Sequence, residues 1–303
     1  MDRENALGRF LRARRELLPP EEVGLPVGER RRVAGLRREE VAGLAGVSTD
    51  YYIRLEQGRE RHPSAQVVDA LARTLCLEED ATAYLHRLAR PDGGRRRPPA
   101  RREQVSLSLL RMMDAWPHTP AVVLGRRLTV LASNVLGKAL FDGHAYSGDL
   151  VRLVFLDPDA RDFYPDWDRV AVNTVAGLRA GADPDDARLI EVVGELSLKS
   201  DAFRRLWARH DIRQKTHETK RFRHPLVGEL TLRYESLTVN SASGQQLVVY
   251  QADPGSPSEE ALSLLGSLTA DSHVHRPADG DARRPADSGV RQPERTRADR
   301  PES

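Results

Sequence analysis

The sequence predicts two domains of different class: an all-α domain followed by an α+β domain. Three observations predict this. The chain has 303 residues, more than one core of ordinary size holds. Residues 1–90 carry apolar side chains at helical spacing, whereas residues 104–268 mix helical stripes with short strand-like runs. Between them Arg90–Arg102 reads RPDGGRRRPPARR, which has Gly and Pro but no apolar periodicity, so residues 91–103 are expected to be a linker. After 268 the chain is rich in Arg, Asp and Pro with almost nothing large to bury, and 269–303 is expected to be a disordered tail.

In the first domain, Glu4–Leu17 is expected as a helix with Leu7, Phe10, Leu11 and Leu17 on one face, stopped by Pro19 and Pro20. A long connection, Glu21–Leu36, leads to the stretch EVAGLAGVSTDYYIRLEQG from Glu40 to Gly58. Val41, Ala42, Leu44 and Ala45 sit at helical spacing, and Gly46 follows where a positive φ costs nothing. Ser48 is placed to cap a second helix whose core face is Tyr52 and Leu55. Thr49, Asp50 and Arg54 then point outward. Pro63 and Ser64 open a fourth helix with the stripe Val67, Val68, Leu71, Ala72 and Leu75. A fifth spans about Glu78–Ala89. Cys76, in LARTLCL, reads as a small buried residue.

In the second domain, Val105–Ala115 is helical, and Ala121–Leu124 and Leu128–Ala132 are short strands around the Gly125–Arg127 turn. Helices are expected over Asn134–Phe141, Asp166–Ala180, Arg188–Leu198 and Phe203–His210. Strands follow at Gly228–Tyr234, Leu237–Asn240 and Gln246–Ala252, with a last helix at Ser256–Leu268. Helices and strands are segregated, which predicts a mainly antiparallel sheet.

Charge narrows the partners. Residues 1–103 hold 21 Arg and 17 Asp or Glu, a net +4; the remainder holds 26 basic and 28 acidic residues, a net −2. The basic excess lies in the half with the paired helices, as phosphate binding requires. No apolar run is long enough to span a membrane and MDRENALGRF is no signal region, so a cytoplasmic protein is expected. No Gly-rich phosphate loop, nucleophile elbow or paired metal motif appears, so no enzyme and no cofactor is expected. His210, His217 and His224 are evenly spaced but match no compact zinc motif, and metal is not expected. Asp157, Asp159, Asp162 and Asp166 read as turn and cap residues.

The first domain resembles the lambda-repressor-like helix-turn-helix fold of the xenobiotic-response-element class, on the stretch GVSTDYYIRLEQG. The second resembles the ligand-binding domain of MmyB-like transcription regulators. It does so on LVRLVFLDPDARDFYPDW, GELSLKSDAFRRLWARHDI, TKRFRHPLVGELTLRYESL and DPGSPSEEAL. The resemblance implies a regulator that binds a double-stranded DNA operator, here expected as a homodimer, and a PAS-like sensor. It suggests a small apolar, fatty-acid-like ligand.

Helix-turn-helix roles, carried onto this chain, make Ser48 the cap of a recognition helix, Thr49 and Asp50 its first outward residues, and Arg54 an outward residue one turn further. Arg54 can grip guanine O6 and N7. Asp50 either accepts from cytosine N4 or complements the helix dipole. Arg38 can hold a phosphate, with Arg30, Arg31, Arg32 and Arg37 on the same side and Arg59 and Arg61 after the helix; each also fits a plain solvated residue. In the second domain, Phe155, Tyr164, Trp167 and Trp207 are candidate pocket walls, and His210, Arg221 and His224 candidate polar anchors. The same aromatics could be simple core. A second domain that docks a partner protein, with no ligand, is the alternative.

Overall fold

The computed structural model of the chain describes residues 5–26, 31, 33–90, 103–181, 186–213 and 217–274. Residues 91–102, within the expected linker, and those beyond 274, within the expected tail, lie outside the described residues, as do Arg30 and Arg32.

The first domain is all helical: α1 (Ala6–Leu17), a 3-10 turn at Pro20–Val23, α2 (Arg38–Ala45), α3 (Thr49–Glu56), α4 (Ala65–Thr74) and α5 (Glu79–Ala89). Phe10, Leu11, Leu36, Val41, Tyr52, Leu55, Leu71 and Leu85 are fully enclosed at its centre. The expected caps are present. Ser48 Oγ accepts from Tyr51 N at 3.2 Å, and Ser64 Oγ accepts from Val67 N at 3.3 Å. Gly46 ends α2 with φ 69° and its amide bonds back to Ala42 and Gly43, which is the tight turn that aims α3. Two expectations fail. Leu17 and Leu44 are exposed, Leu18 taking the core position beside Leu17. Cys76 is exposed, because it follows the end of α4 at φ 49° and turns away while Leu75 goes inward.

The second domain opens with α6 (Leu107–Asp114) and builds one five-stranded sheet. Its strands are β1 (Ala121–Leu124), β2 (Val130–Ser133), β3 (His217–His224), β4 (Gly228–Thr238) and β5 (Gln246–Gln251), in the order β2-β1-β5-β4-β3, every pair antiparallel. Between β2 and β3 run α7 (Val135–Ala139), α8 (Leu150–Leu156), α9 (Ala160–Phe163), α10 (Trp167–Ala180), α11 (Ala187–Lys199) and α12 (Asp201–Ala208). These pack with one sheet face into a single large core. On the other face, Leu109 and Met113 of α6 meet Ala121, Val123, Leu247 and Val249. Strand β1 is therefore buried on both sides. A closing helix, α13 (Pro257–Val274), lays Leu265 on Leu136 and Ala139. This is the α+β PAS-like architecture behind an all-α domain.

Several elements differ from expectation. Helix α13 continues past 268 to Val274, into the stretch expected to be disordered. The strands expected at 228–234 and 237–240 are one strand, β4. Strand β3 and the short helices α8 and α9 were not expected; His217 and His224 are the two ends of β3, and His210 lies before it.

Candidate nucleic-acid interface and sensor core

Helix α3 is polarised. Tyr52, Leu55 and Glu56 face inward, while Ser48, Thr49 and Asp50 are exposed at its N-terminal end and Arg54 is exposed one turn further along. Arg54 Nη1 lies 3.3 Å from Asp50 Oδ2 one turn earlier, and its guanidinium stands 5.8 Å from the Tyr51 ring. Arg59 and Arg61 are also exposed, Arg61 Nε donating to Gly58 O at 3.1 Å.

What holds α3 in place is a buried ion cluster. Glu56, at its last turn, accepts from Arg15 Nε at 2.6 Å and from Arg38 Nε at 2.7 Å. Arg15 also donates to Leu36 O at 2.9 Å. Arg38 keeps 45% of its side chain exposed, so one guanidinium edge holds Glu56 and the rest faces solvent. Arg31 is turned inward instead. Its guanidinium meets both Glu40 oxygens, at 2.8 and 2.7 Å, and donates to Gly35 O, which braces the connection before α2. The Arg31–Glu40 bond lowers the Glu40 carboxyl below its ordinary range. Glu56 was within the quoted motif, but nothing in its spacing revealed a buried carboxylate with two arginine partners.

In the second domain the structure brings part of the candidate set together. Phe155 lies edge-on to Trp167 at 5.9 Å and to Phe203 at 5.2 Å, and Phe203 stacks on Trp207 at 5.6 Å. Trp167 Nε1 donates to Val154 O, and Arg161 covers its ring at 3.8 Å. Trp207 Nε1 is buried with no hydrogen-bond partner among the described residues. Tyr164 belongs to a separate inner cluster with Phe163 and Phe222, and burial holds its phenol well above the ordinary value.

The three polar candidates lie apart. Arg221 is on the outer face of β3, paired with Asp166 at 2.8 and 2.5 Å. His224 is a buried staple: its Nδ1 accepts from Leu226 N at 3.2 Å, so Nε2 carries the proton and donates to Ala139 O at 3.1 Å. His210, just after α12, packs against Phe10 of α1, ring centroids 6.4 Å apart, while its Nδ1 accepts from Arg179 of α10 at 3.1 Å. Burial, then the charges of Arg179, Arg9 and Arg14, lower its pKa to about 3.

Two polar features escaped the sequence reading. Arg179 is buried on the apolar stripe of α10, with its guanidinium 3.7 Å over the Trp207 ring; a lone Arg on a stripe with Ala171, Val175 and Leu178 is the signal that could have found it. His144 Nδ1 lies 3.3 Å from Asp157 Oδ1 inside the core, beside Phe163. Asp157 does make the expected turn bond, from Asp159 N at 3.1 Å. An open cleft of this domain, about 460 Å³, is lined mostly by charged side chains. Arg127, Asp149, Arg152, Arg188 and Glu195 line it, and it shares no residue with the candidate set.

A capped, outward-facing helix on a small helical domain, joined to a PAS-like sheet domain, defines a DNA-binding transcription regulator with a ligand-binding domain. The chain belongs to the MmyB-like transcription regulators: the MmyB-like transcription regulator ligand binding domain matches residues 105–265, and a helix-turn-helix domain matches 6–85. Compared with curated proteins, the chain matches none. No described helix is long and apolar enough to cross a membrane.

Proposed function

We propose that the chain reads a specific operator as a homodimer and that a small apolar ligand in its second domain changes that reading. One observation carries the DNA half: one face of α3 exposes Ser48, Thr49 and Asp50 and, a turn further on, Arg54, while its opposite face is locked by Tyr52, Leu55 and Glu56. In this reading Arg54 meets a base edge, and Arg38, Arg59 and Arg61 meet phosphates. One such helix reads only a few base pairs, which is why a dimer is invoked. Selection of duplexes from a random library by the full-length protein tests it. Two half-sites about 10 base pairs apart are expected. A single short motif bound by a monomer refutes the dimer, and no enrichment refutes the operator.

The ligand half rests on the wall of Phe155, Trp167 and Trp207, with Trp207 Nε1, which has no partner among the described residues, as a donor for a ligand acceptor. Against it, Tyr164 and Trp167 are buried in the core, which favours the alternative of a protein-docking domain with no ligand. Native mass spectrometry of the purified protein separates the two. A stoichiometric small molecule supports the sensor, and a bare chain at every preparation supports the docking domain.

A further inference from the structure

We infer that Arg209–Ile212, the segment after α12, is the element through which the second domain acts on the recognition helix, and that it does so by gripping α1. The inference deepens the regulatory reading above and rests on it. Ile212 is 7% exposed and is buried in the core of the first domain, not the second. Asp211 Oδ1 pairs with Arg14 Nη1 at 2.9 Å, and His210 packs on Phe10, which itself meets Tyr84 of α5 edge-on at 5.4 Å. Arg87 of α5 donates to Ala180 O at the end of α10, at 3.0 Å.

Each end of this contact leads somewhere. On the sensor side, Arg179 donates to Trp207 O and to His210 Nδ1, the latter at 3.1 Å, while its guanidinium covers the Trp207 ring. A shift of Trp207 therefore moves Arg179, and with it the backbone that carries His210 and Asp211. On the DNA side, Phe10 and Arg14 lie one turn apart on one face of α1, and Gly8 and Arg15 lie on another. Gly8 lets α1 close on the end of α3: a Cβ there would stand 2.3 Å from Glu56 O and 2.6 Å from Leu55 O. Arg15 holds the Glu56 carboxylate. The route Trp207, Arg179, His210–Asp211, α1, Glu56 is continuous from the aromatic wall to the recognition helix. A ligand changes DNA affinity only by favouring one of two arrangements, and a rigid helix touched by both sites is a part that can differ between them.

The experiment uses the full chain with Arg14→Glu, Asp211→Arg and the double swap. The probe is the duplex selected by the wild-type protein, at one fixed salt concentration. Each single reversal sets like charges together. It should change affinity at least about fivefold and speed amide hydrogen exchange in Arg209–Ile212 and in α3. The double swap should return within about twofold of wild type. Arg14→Gln, which only removes the charge, serves if a reversal does not fold. Unchanged affinity while exchange shows Arg209–Ile212 released overturns the inference. If the wild type selects no duplex, the operator reading fails by itself. Exchange then decides alone: α3 faster in the singles and restored in the swap supports the coupling, and α3 unmoved overturns it.

Discussion

Arg15 and Glu56 meet at 2.6 Å with both side chains almost wholly enclosed, and this pair fixes the last turn of α3 to α1. Removing one partner of a buried pair strands the other. Glu56→Gln should therefore cost about 3 kcal/mol, the lower end for such breaks, because Arg15 keeps its bond to Leu36 O. Urea unfolding measures it. The matching double variant Arg15→Met with Glu56→Met should lose less than the single, since no charge is left buried. A single variant within about 0.5 kcal/mol of wild type would show that the cluster is solvated in solution.

Asn134 is a comparable hub in the second domain. Its Oδ1 accepts from Ala121 N at 3.0 Å and caps α7 through Gly137 N at 2.8 Å, and its Nδ2 reaches the carbonyls of Met113, Trp116 and Thr119. One side chain thus ties α6, β1 and α7 together. Asn134→Ala should destabilise by about 3 kcal/mol, combining a lost cap with buried groups left unpaired. Thermal unfolding of this variant should begin earlier, and an unchanged midpoint would contradict the hydrogen bonds described.

Arg54→Ala should flatten discrimination at one or two base pairs, by about 1–3 kcal/mol, while leaving affinity for unrelated DNA nearly unchanged. Asp50 shares the Arg54 guanidinium at 3.3 Å, so base contact has to draw Arg54 away from it. Competition across single-base variants of the selected duplex reads both quantities. A uniform loss over all sequences would assign Arg54 to phosphate.

The elements legible in the sequence were those with strong local signals. Ser48 and Ser64 cap helices and Gly46 turns the chain between α2 and α3 as their positions implied, whereas the caps Ser106 and Ser200 emerge only in the structure. Strand β3 was not legible because HETKRFRH has only Phe222 as a large apolar residue on its inward face; long-range pairing with β4, not local pattern, makes it a strand. The placement of His210 depends on a contact between domains, which no local spacing encodes. Cys76 failed on one dihedral: in a regular helix it would share the Ala72 face, but φ 49° turns it out. It should react as one thiol equivalent per chain with a disulfide reagent under native conditions, and a thiol titrating only after denaturation would show that it is covered.

The domain contact should also leave a signature in pH. His210 has a folded pKa of about 3 against an ordinary 6.5, set by burial and then by Arg179, Arg9 and Arg14, with Asp211 beside it in the chain. The folded state therefore keeps it neutral, while the unfolded chain takes up a proton as pH falls below about 6.5. The unfolded state binds more protons across that window, so stability is intact above pH 6.5 and is lost progressively toward pH 3. The slope from this one group is at most about 1.4 kcal/mol per pH unit. Other carboxylates titrate over the same range, so the test is a difference. His210→Asn removes the titration and tolerates the positive φ of 55° at this position. Urea unfolding between pH 7 and pH 4 should show a shallower acid loss for this variant than for the wild type. Parallel curves would mean that His210 is solvated and that Arg209–Ile212 does not sit against α1 in solution.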